Sequence, residues 1–464
     1  VLNFYFVTTE KYLNSKFVEK IMKVLCVYPH PPSGVNGVMS FVRELYSDIP
    51  SEDFSKVGVW FDLYYTDEEK TLKAFGSEDK QKIKESFMQK VKSENPQIIH
   101  LNSYALDKDC VSFLEEYKKE NPTTKIVYTA HSLAFQDFER DSYEKKLFRG
   151  ISEGLLSEVL NLADLHFQNI PEEEKEKRIL HILRKFDIPA NQERVERLKI
   201  RSYMIGLQKK LMGIADENVF VSEFLRESSK RVYGIDGKVI ENGVSIGETY
   251  ENYKDEIERA SSNWRKRFHR DGDLLIGYVG RITENKGIFD LLRAFKRLSK
   301  EMNNVYLYFS GPYLDETIGK LAKEAGRLFG KRVFFFRKDT LPQPFSEGEK
   351  IGMSKIYKTF DLVVYPSNYE PFGLVPLESI SCGTPTLVRD VDNLSTFVKE
   401  GLCEGFKDEA DLYRKMKEML LNIDEHKKSI NEKKEIVRKK YYSSVMRKNY
   451  KKLFKETLYL REAP

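Results

Sequence analysis

At 464 residues the chain exceeds what one typical core organises, so two domains or more are expected. Hydrophobic residues at 41% and charged residues at 32% describe a globular protein with a heavily charged surface, and no apolar run approaches the ~20 residues that a membrane helix needs. With 77 basic against 72 acidic side chains the formal charge is only +5, which lends nucleic-acid binding no support. The four cysteines (Cys26, Cys110, Cys382, Cys403) form no Cys-x-x-Cys pair, arguing against a disulfide scaffold or zinc site and for a reducing cytoplasm.

In chain order, residues 1–21 read as an N-terminal extension. They hold a short apolar patch (Phe4, Tyr5, Phe6, Val7) but no basic start and no small-residue cleavage site, so they make a poor signal peptide. The fold is expected to begin at Met22. Residues 23–28 (KVLCVY) form a strand-like run, followed by a Pro/Gly-rich loop and a helical stretch at 38–46. Further strand-like runs lie at 57–65, 97–101, 125–129, 218–221 and 239–241, with amphipathic segments between most of them. Near-continuous apolar strands alternating with helices indicate a parallel sheet covered on both faces.

The pattern restarts after roughly residue 250, with strands at 274–279, 305–309, 333–336, 362–365 and 386–388 and a helix at 287–300. The fold class is therefore α/β: two Rossmann-like, doubly wound parallel-sheet domains facing across a cleft. The boundaries expected are 22–247 for the first domain, with a charged helical insertion at about 139–213, and 248–440 for the second. Residues 441–464 are expected as a C-terminal helix crossing back to the first domain. The basic tail is read chiefly as a solvated helix face. Peripheral contact with anionic lipid is the sharper alternative.

Two segments carry chemistry. Gly280-Arg281-Ile-Thr-Glu-Asn-Lys286-Gly287 follows a strand and precedes a helix, where backbone N–H groups and the helix dipole meet a phosphate. Arg281 offers a planar fork for a diphosphate and Lys286 a compact charge. A departing nucleoside diphosphate gains negative charge, so two waiting cations favour the transition state over the ground state. The second segment, residues 365–378 (YPSNYEPFGLVPLE), also follows a strand and opens a helix near Gly373. Glu370 sits in a loop held by Pro371, and Glu378 lies one to two turns inside the helix. Gly373 permits close backbone approach, and the amides of Leu374 and Val375 point outward at the helix start.

With its Glu-x7-Glu element at Glu370/Glu378 and its Gly-Arg-x4-Lys-Gly element at 280–287, the chain resembles the GT-B retaining glycosyltransferases. The likeness is to family 4, the group 1 transferases, and to the related glycogen and starch synthases. Supporting matches are Asn242-Gly243-Val244, Gly34 and Gly37 in the first loop, and His131. The resemblance implies that Arg281 and Lys286 bind the diphosphate, Glu370 the hydroxyls of the transferred sugar, and Glu378 the ribose. It implies that the amides from Gly373 to Val375 cap sugar and phosphate, that Gly34 and Gly37 let the first loop close, and that His131 faces the sugar. The chain departs from the family pattern at Arg389-Asp390-Val391-Asp392-Asn393-Leu394, where many relatives carry Gly-Gly-x-x-Glu. Its first loop also lacks adjacent glycines.

The resemblance further implies front-face attack with retention, the leaving phosphate helping to take the acceptor's proton. A nucleotide sugar is then the donor, a carbohydrate the acceptor, and glucosyl the favoured group; no cofactor and no metal is expected. Asp-x-Asp pairs occur at 107/109, 271/273 and 390/392, and only the last follows a second-domain strand in a position to ligate a metal. Competing readings are transfer to a lipid or cell-surface glycan at a membrane, nucleotide-sugar epimerisation, phosphorolysis and non-catalytic sugar binding.

Overall fold

A computed structural model of the chain describes residues 24–29, 41–42, 44–46, 55–59, 64–66, 71–73, 77–102, 106–140, 147–148, 150–168, 170–312, 315–336 and 347–459. It divides into two compact units, Val1–Ile240 together with Asn449–Pro464, and Glu241–Lys448. Among the described residues no helix is long and apolar enough to cross a membrane.

The first unit contains strands β1 (Val24–Pro29), β2 (Ser55–Val59), β3 (Tyr64–Thr66), β4 (Thr71–Lys73), β5 (Ile98–Asn102), β6 (Lys125–Ala130), β7 (Glu217–Phe220) and β8 (Lys238–Val239). Six of them form one sheet in the order β2-β1-β5-β6-β7-β8, every neighbouring pair parallel. The single strand expected at 57–65 is two. The β1–β2 register runs to Pro29↔Val59, and β3 pairs antiparallel with β4. Helices α1 (Glu153–Leu165), α2 (Glu172–Lys185) and α3 (Gln192–Ile214) follow. The side chains of Ser152 and Asn191 cap α1 and α3 by accepting the N–H groups of Leu155 and Arg194. In α2, Glu172, Glu173 and Glu174 occupy the first turn and Arg184 and Lys185 the last, the order that the helix dipole favours. A Cβ at Gly206 would lie 2.4 Å from the Ala163 carbonyl oxygen, so a glycine lets α3 run close against α1.

The second unit contains α4 (Lys254–Phe268), β9 (Leu274–Val279), α5 (Ile288–Glu301), β10 (Val305–Ser310), β11 (Val333–Phe335), α6 (Glu347–Thr359), β12 (Leu362–Tyr365), α7 (Leu374–Ser381), β13 (Thr386–Arg389), β14 (Glu404–Phe406), α8 (Glu409–Leu421) and α9 (Ile423–Tyr441). Its sheet runs β11-β10-β9-β12-β13-β14, again parallel throughout. The order reverses between β9 and β12, and this is where ligands bind in open α/β sheets. β14 was not legible in the sequence: three residues carry too little pattern to separate from a loop. Ile288, Leu291, Leu292, Phe295 and Leu298 recur at helical spacing and are all buried. α9 buries only Ile423, Ile430, Val437 and Tyr441, so most of its lysines lie on its solvated side.

The last helix, α10 (Ser443–Tyr459), begins in the second unit and continues into the first from Asn449. In the first unit the Tyr450 hydroxyl lies 3.0 Å from Thr129 Oγ1, which in turn is 2.8 Å from His100 Nε2, and the Tyr46 hydroxyl is 2.6 Å from His100 Nδ1. This buried chain of polar groups is mutually satisfied, as burial demands.

Gly277 in β9 faces the Phe360 ring, and a Cβ there would fall 2.1 Å from Phe360 Cδ2. Gly277→Ala is therefore expected to lower unfolding stability by about 1–3 kcal/mol through overpacking. A urea midpoint unchanged from the parent would refute it.

Candidate donor-binding site

The site is built by the loops that leave β9 and β12. Gly280 (φ +136°) and Gly311 (φ +154°) follow β9 and β10 back to back, and a Cβ on Gly311 would fall 1.8 Å from the Gly280 carbonyl oxygen. The Tyr278 hydroxyl donates to the Arg281 carbonyl and fixes the start of the loop. A single 3-10 turn, Glu284–Lys286, leads to Gly287, whose left-handed backbone (φ +68°) opens α5. A Cβ at Gly287 would sit 2.0 Å from the Pro366 carbonyl oxygen, and the Asn368 N–H donates to the Asn285 carbonyl at 3.1 Å. The two loops touch backbone to backbone.

Their side chains meet at the same place. Lys286 Nζ donates to Glu370 Oε2 at 2.8 Å and to the Tyr365 hydroxyl at 3.3 Å, while that hydroxyl donates to the same carboxylate oxygen at 2.6 Å. The Lys286 and Glu370 side chains are 16% and 14% exposed, so the pair is largely shielded yet still reachable. Burial, and then the Glu370 charge, push the Tyr365 phenol well above its ordinary value, keeping it a proton donor. Arg281 is exposed and has no ion-pair partner among the described residues.

Three residues at the end of β13 and just beyond it hold the Glu370 loop from behind. The buried Arg389 donates through Nε to the Pro366 carbonyl at 3.2 Å and pairs with Asp290 in the first turn of α5 at 2.6 Å. Asp392 adopts a left-handed backbone (φ +48°) and its carboxylate accepts the Glu370 N–H at 3.1 Å. Buried Asn393 donates to the Phe372 carbonyl at 2.7 Å. Sequence reasoning missed these positioning roles, and that of Tyr365. The departure from Gly-Gly-x-x-Glu within residues 389–394 was the available signal, because a glycine is favoured where the backbone is left-handed, as it is at Asp392. The other two Asp-x-Asp pairs have local structural roles. Asp107 caps the helix Lys108–Glu120 by accepting the Cys110 N–H, and Asp273 accepts the Arg270 N–H across a turn.

Gly373 (φ +100°) caps α7, and a Cβ there would meet Leu394 Cδ2 at 2.8 Å. Leu374 and Val375 form the first turn, whose N–H groups have no partner within the helix. Glu378 stands one turn on and accepts the Tyr357 hydroxyl at 2.6 Å. The second unit thus gathers Arg281, Lys286, Glu370, Gly373, Leu374, Val375 and Glu378 on the loop after β9 and the loop and helix after β12. His131 belongs to the first unit, directly after β6. Its ring packs edge-on to Phe41 at 4.5 Å between centroids, and its buried Nε2 has no hydrogen-bond partner among the described residues. Gly34 and Gly37 lie outside the described residues.

The second unit is a doubly wound sheet with cations and a carboxylate clustered at its switch point, where open α/β sheets bind ligands. Residues 260–436 match the family model described as Glycosyl transferases group 1. Over 168 residues the chain is 34% identical to an uncharacterized glycosyltransferase of Methanocaldococcus jannaschii, a span that covers 35% of this chain and 38% of that protein. The chain thus spans well under half the length of this curated relative. Among solved structures, sucrose-phosphate synthase from Thermosynechococcus elongatus superposes with a TM-score of 0.61 at 16% identity, covering 94% of this chain and 98% of the other. An Anabaena protein solved in complex with UDP and glucose gives 0.58 at 14% identity, covering 94% and 99%. Over residues 260–436 the second unit is thus similar to group 1 glycosyl transferases, and the chain has the GT-B-type fold of two parallel α/β sheets with C-terminal helices.

Burial holds the imidazoles of His100 and His131 down at about 3 and that of His166 at about 4, against an ordinary 6.5. Below pH 6.5 the unfolded chain therefore binds more protons than the folded one, and stability falls as pH drops from 6.5 toward 4. Urea titrations across that range are expected to show the decline, with a shallower slope in His131→Gln. Equal slopes in the two proteins would show that His131 is not held neutral.

Proposed function

We propose that this chain is a retaining glycosyltransferase that moves a hexose, glucosyl favoured, from a nucleotide-diphosphate sugar to a carbohydrate acceptor without a metal ion. The observation that carries the reading is the Lys286–Glu370–Tyr365 cluster at the switch point of the second sheet, beside Arg281, which has no ion-pair partner among the described residues. The Anabaena neighbour was solved with UDP and glucose together, which supports a uridine diphosphate donor.

In this reading Arg281 grips the diphosphate through its fork and Lys286 adds its charge as the glycosidic bond lengthens. Lys286 is held by Glu370 before substrate arrives, so little reorganisation is needed as charge develops. Glu370 takes hydroxyls of the transferred sugar, and Tyr365 holds the free rotation of that carboxylate in check. Glu378 takes the ribose. The first turn of α7 directs its N–H groups at phosphate and sugar. The acceptor attacks from the face the phosphate leaves, and the departing phosphate oxygen receives the acceptor's proton. No carboxylate is assigned as a nucleophile, because positioning and charge complementarity suffice. His131 is read as facing the sugar in a neutral state.

Transfer from UDP-glucose to a panel of sugars and sugar phosphates, with anomeric configuration read by NMR, tests the proposal. Lys286→Ala and Glu370→Ala are each expected to lower kcat/KM by about 10²–10³, the usual cost of removing one preorganised charge partner. Turnover that survives both substitutions, or a product of inverted configuration, would sink the assignment. Activity is expected to persist in excess EDTA; loss with EDTA and recovery with magnesium or manganese would overturn metal independence.

A further inference from the structure

The second unit has another charged cavity, at the opposite end of its sheet. Asp361 immediately precedes β12 and Thr384 lies just before β13, whereas Pro366 and Asp390 follow those strands. Four residues of extended chain, about 13 Å at ~3.3 Å each, separate the two ends. The cavity, about 510 Å³, lies among α4, the end of α6 and α9. Five cations (Lys254, Arg265, Lys358, Lys427, Lys434) line it against two acids (Glu258, Asp361), a local excess of 5 − 2 = 3 positive charges.

The acids are already engaged. Asp361 Oδ2 accepts Arg265 at 2.9 Å and the Leu275 N–H at 2.8 Å, and its Oδ1 accepts Lys427 at 2.6 Å. Glu258 accepts the Tyr250 hydroxyl at 2.7 Å and pairs with Lys358 at 3.3 Å. Lys254 and Lys434 have no carboxylate within ion-pair distance among the described residues. Lys434 Nζ lies 4.7 Å from the centre of the Tyr250 ring, and Lys358 Nζ 5.7 Å from the same ring. Burial, together with the neighbouring Lys254 and Lys358, holds Lys434 below its ordinary value, while Glu251 pulls the other way. Like charges are thus gathered around one aromatic ring in a concave, partly desolvated place, where a counter-anion is worth more than on an open surface.

We propose that this cavity binds a phosphate group, carried by a small phosphate monoester or present as the free ion, with Lys254, Lys358 and Lys434 as its ligands. Three ammonium groups supply the point charges a phosphate dianion takes, and the volume leaves room for a sugar attached to it. The side chains of Ser262 and Asn431, both exposed on the lining, offer further polar contacts. The site does not depend on the proposed transfer reaction and is separate from Arg281 and Lys286.

Isothermal titration with sodium phosphate, glucose 1-phosphate and glucose, at matched ionic strength, is the test. The parent and Lys286→Gln are expected to bind at least one of the two phosphates. Lys434→Gln and Lys254→Gln are each expected to weaken that binding by about tenfold, roughly one lost charge-assisted contact. Tighter binding of glucose 1-phosphate than of phosphate assigns the monoester; equal affinity assigns the free ion. Absence of binding by both, binding unchanged in the two cavity variants, or binding lost only in Lys286→Gln would each overturn the proposal. Lys254 is exposed, so its variant keeps the test valid should the Lys434 variant fail to fold.

Discussion

The second unit depends on one close approach, that of the Gly287 backbone to the Pro366 carbonyl. Strands β9 and β12 are neighbours at the point where the sheet reverses order, so their following segments must leave toward α5 and α7 while remaining side by side. Backbone contact at that spot needs a residue without Cβ in a left-handed conformation, and Gly287 meets both conditions. Everything that gathers there follows from the contact. Lys286, one residue before it, and Glu370, four residues after Pro366, have little choice but to meet. Arg389 donates to the same Pro366 carbonyl, so the atom that excludes a side chain at 287 is also the one that anchors the loop to α5 through Asp290.

The electrostatics of the cluster have a consistent direction. A shielded ion pair alone contributes little net stability, because desolvation offsets most of its attraction. Removing one partner is costly, since the other is left buried and unpaired. Lys286 and Glu370 therefore require each other in the resting protein, and Tyr365 supplies the second hydrogen bond that such a carboxylate needs. Asp392 adds a third constraint by accepting the Glu370 backbone N–H from a left-handed position that costs a non-glycine residue of order 1 kcal/mol or more. The strain is offset by the hydrogen bond that a glycine lacks.

The sequence made the second unit legible because its strands are short, apolar and flanked by glycines whose placement has a local cause. Residues 274–279 and 362–365 were bounded as the structure has them, and the helix start near Gly373 was readable from the glycine and the proline before it. Lys286 and Glu370 were singled out by their places between strand and helix and by the resemblance, but their contact was not readable, since 84 residues separate them and only the strand order brings them together. Tyr365 looked like the end of a buried strand, and its hydroxyl could not be assigned until Glu370 had a position. Arg389 looked like a charge after a strand, and nothing local points to Asp290, 99 residues away. In the first unit β2 and part of β3 were absorbed into one strand-like run at 57–65, because such short strands leave little alternation to read.

Helix α7 links the two ends of this unit. It starts at Gly373, beside Glu370, and ends at Cys382-Gly383, on the edge of the lysine-lined cavity. Midway, Glu378 is held by Tyr357, whose own carbonyl accepts the Thr384 hydroxyl at 2.9 Å, and the next residue along α6 is Lys358. Glu378 is therefore fixed from the far end of the sheet, by groups adjacent in sequence to the cavity's cations. A helix of only eight residues has little intrinsic stability and takes its position from what grips it. Gly373, packed under Leu394, grips one end, and the Tyr357–Thr384 contacts grip the other. The height at which the first turn of α7 presents its N–H groups is thus set by packing at both ends of the sheet, which places the residues around 357–358 and 383–384 among those that determine the geometry of the Glu370 loop.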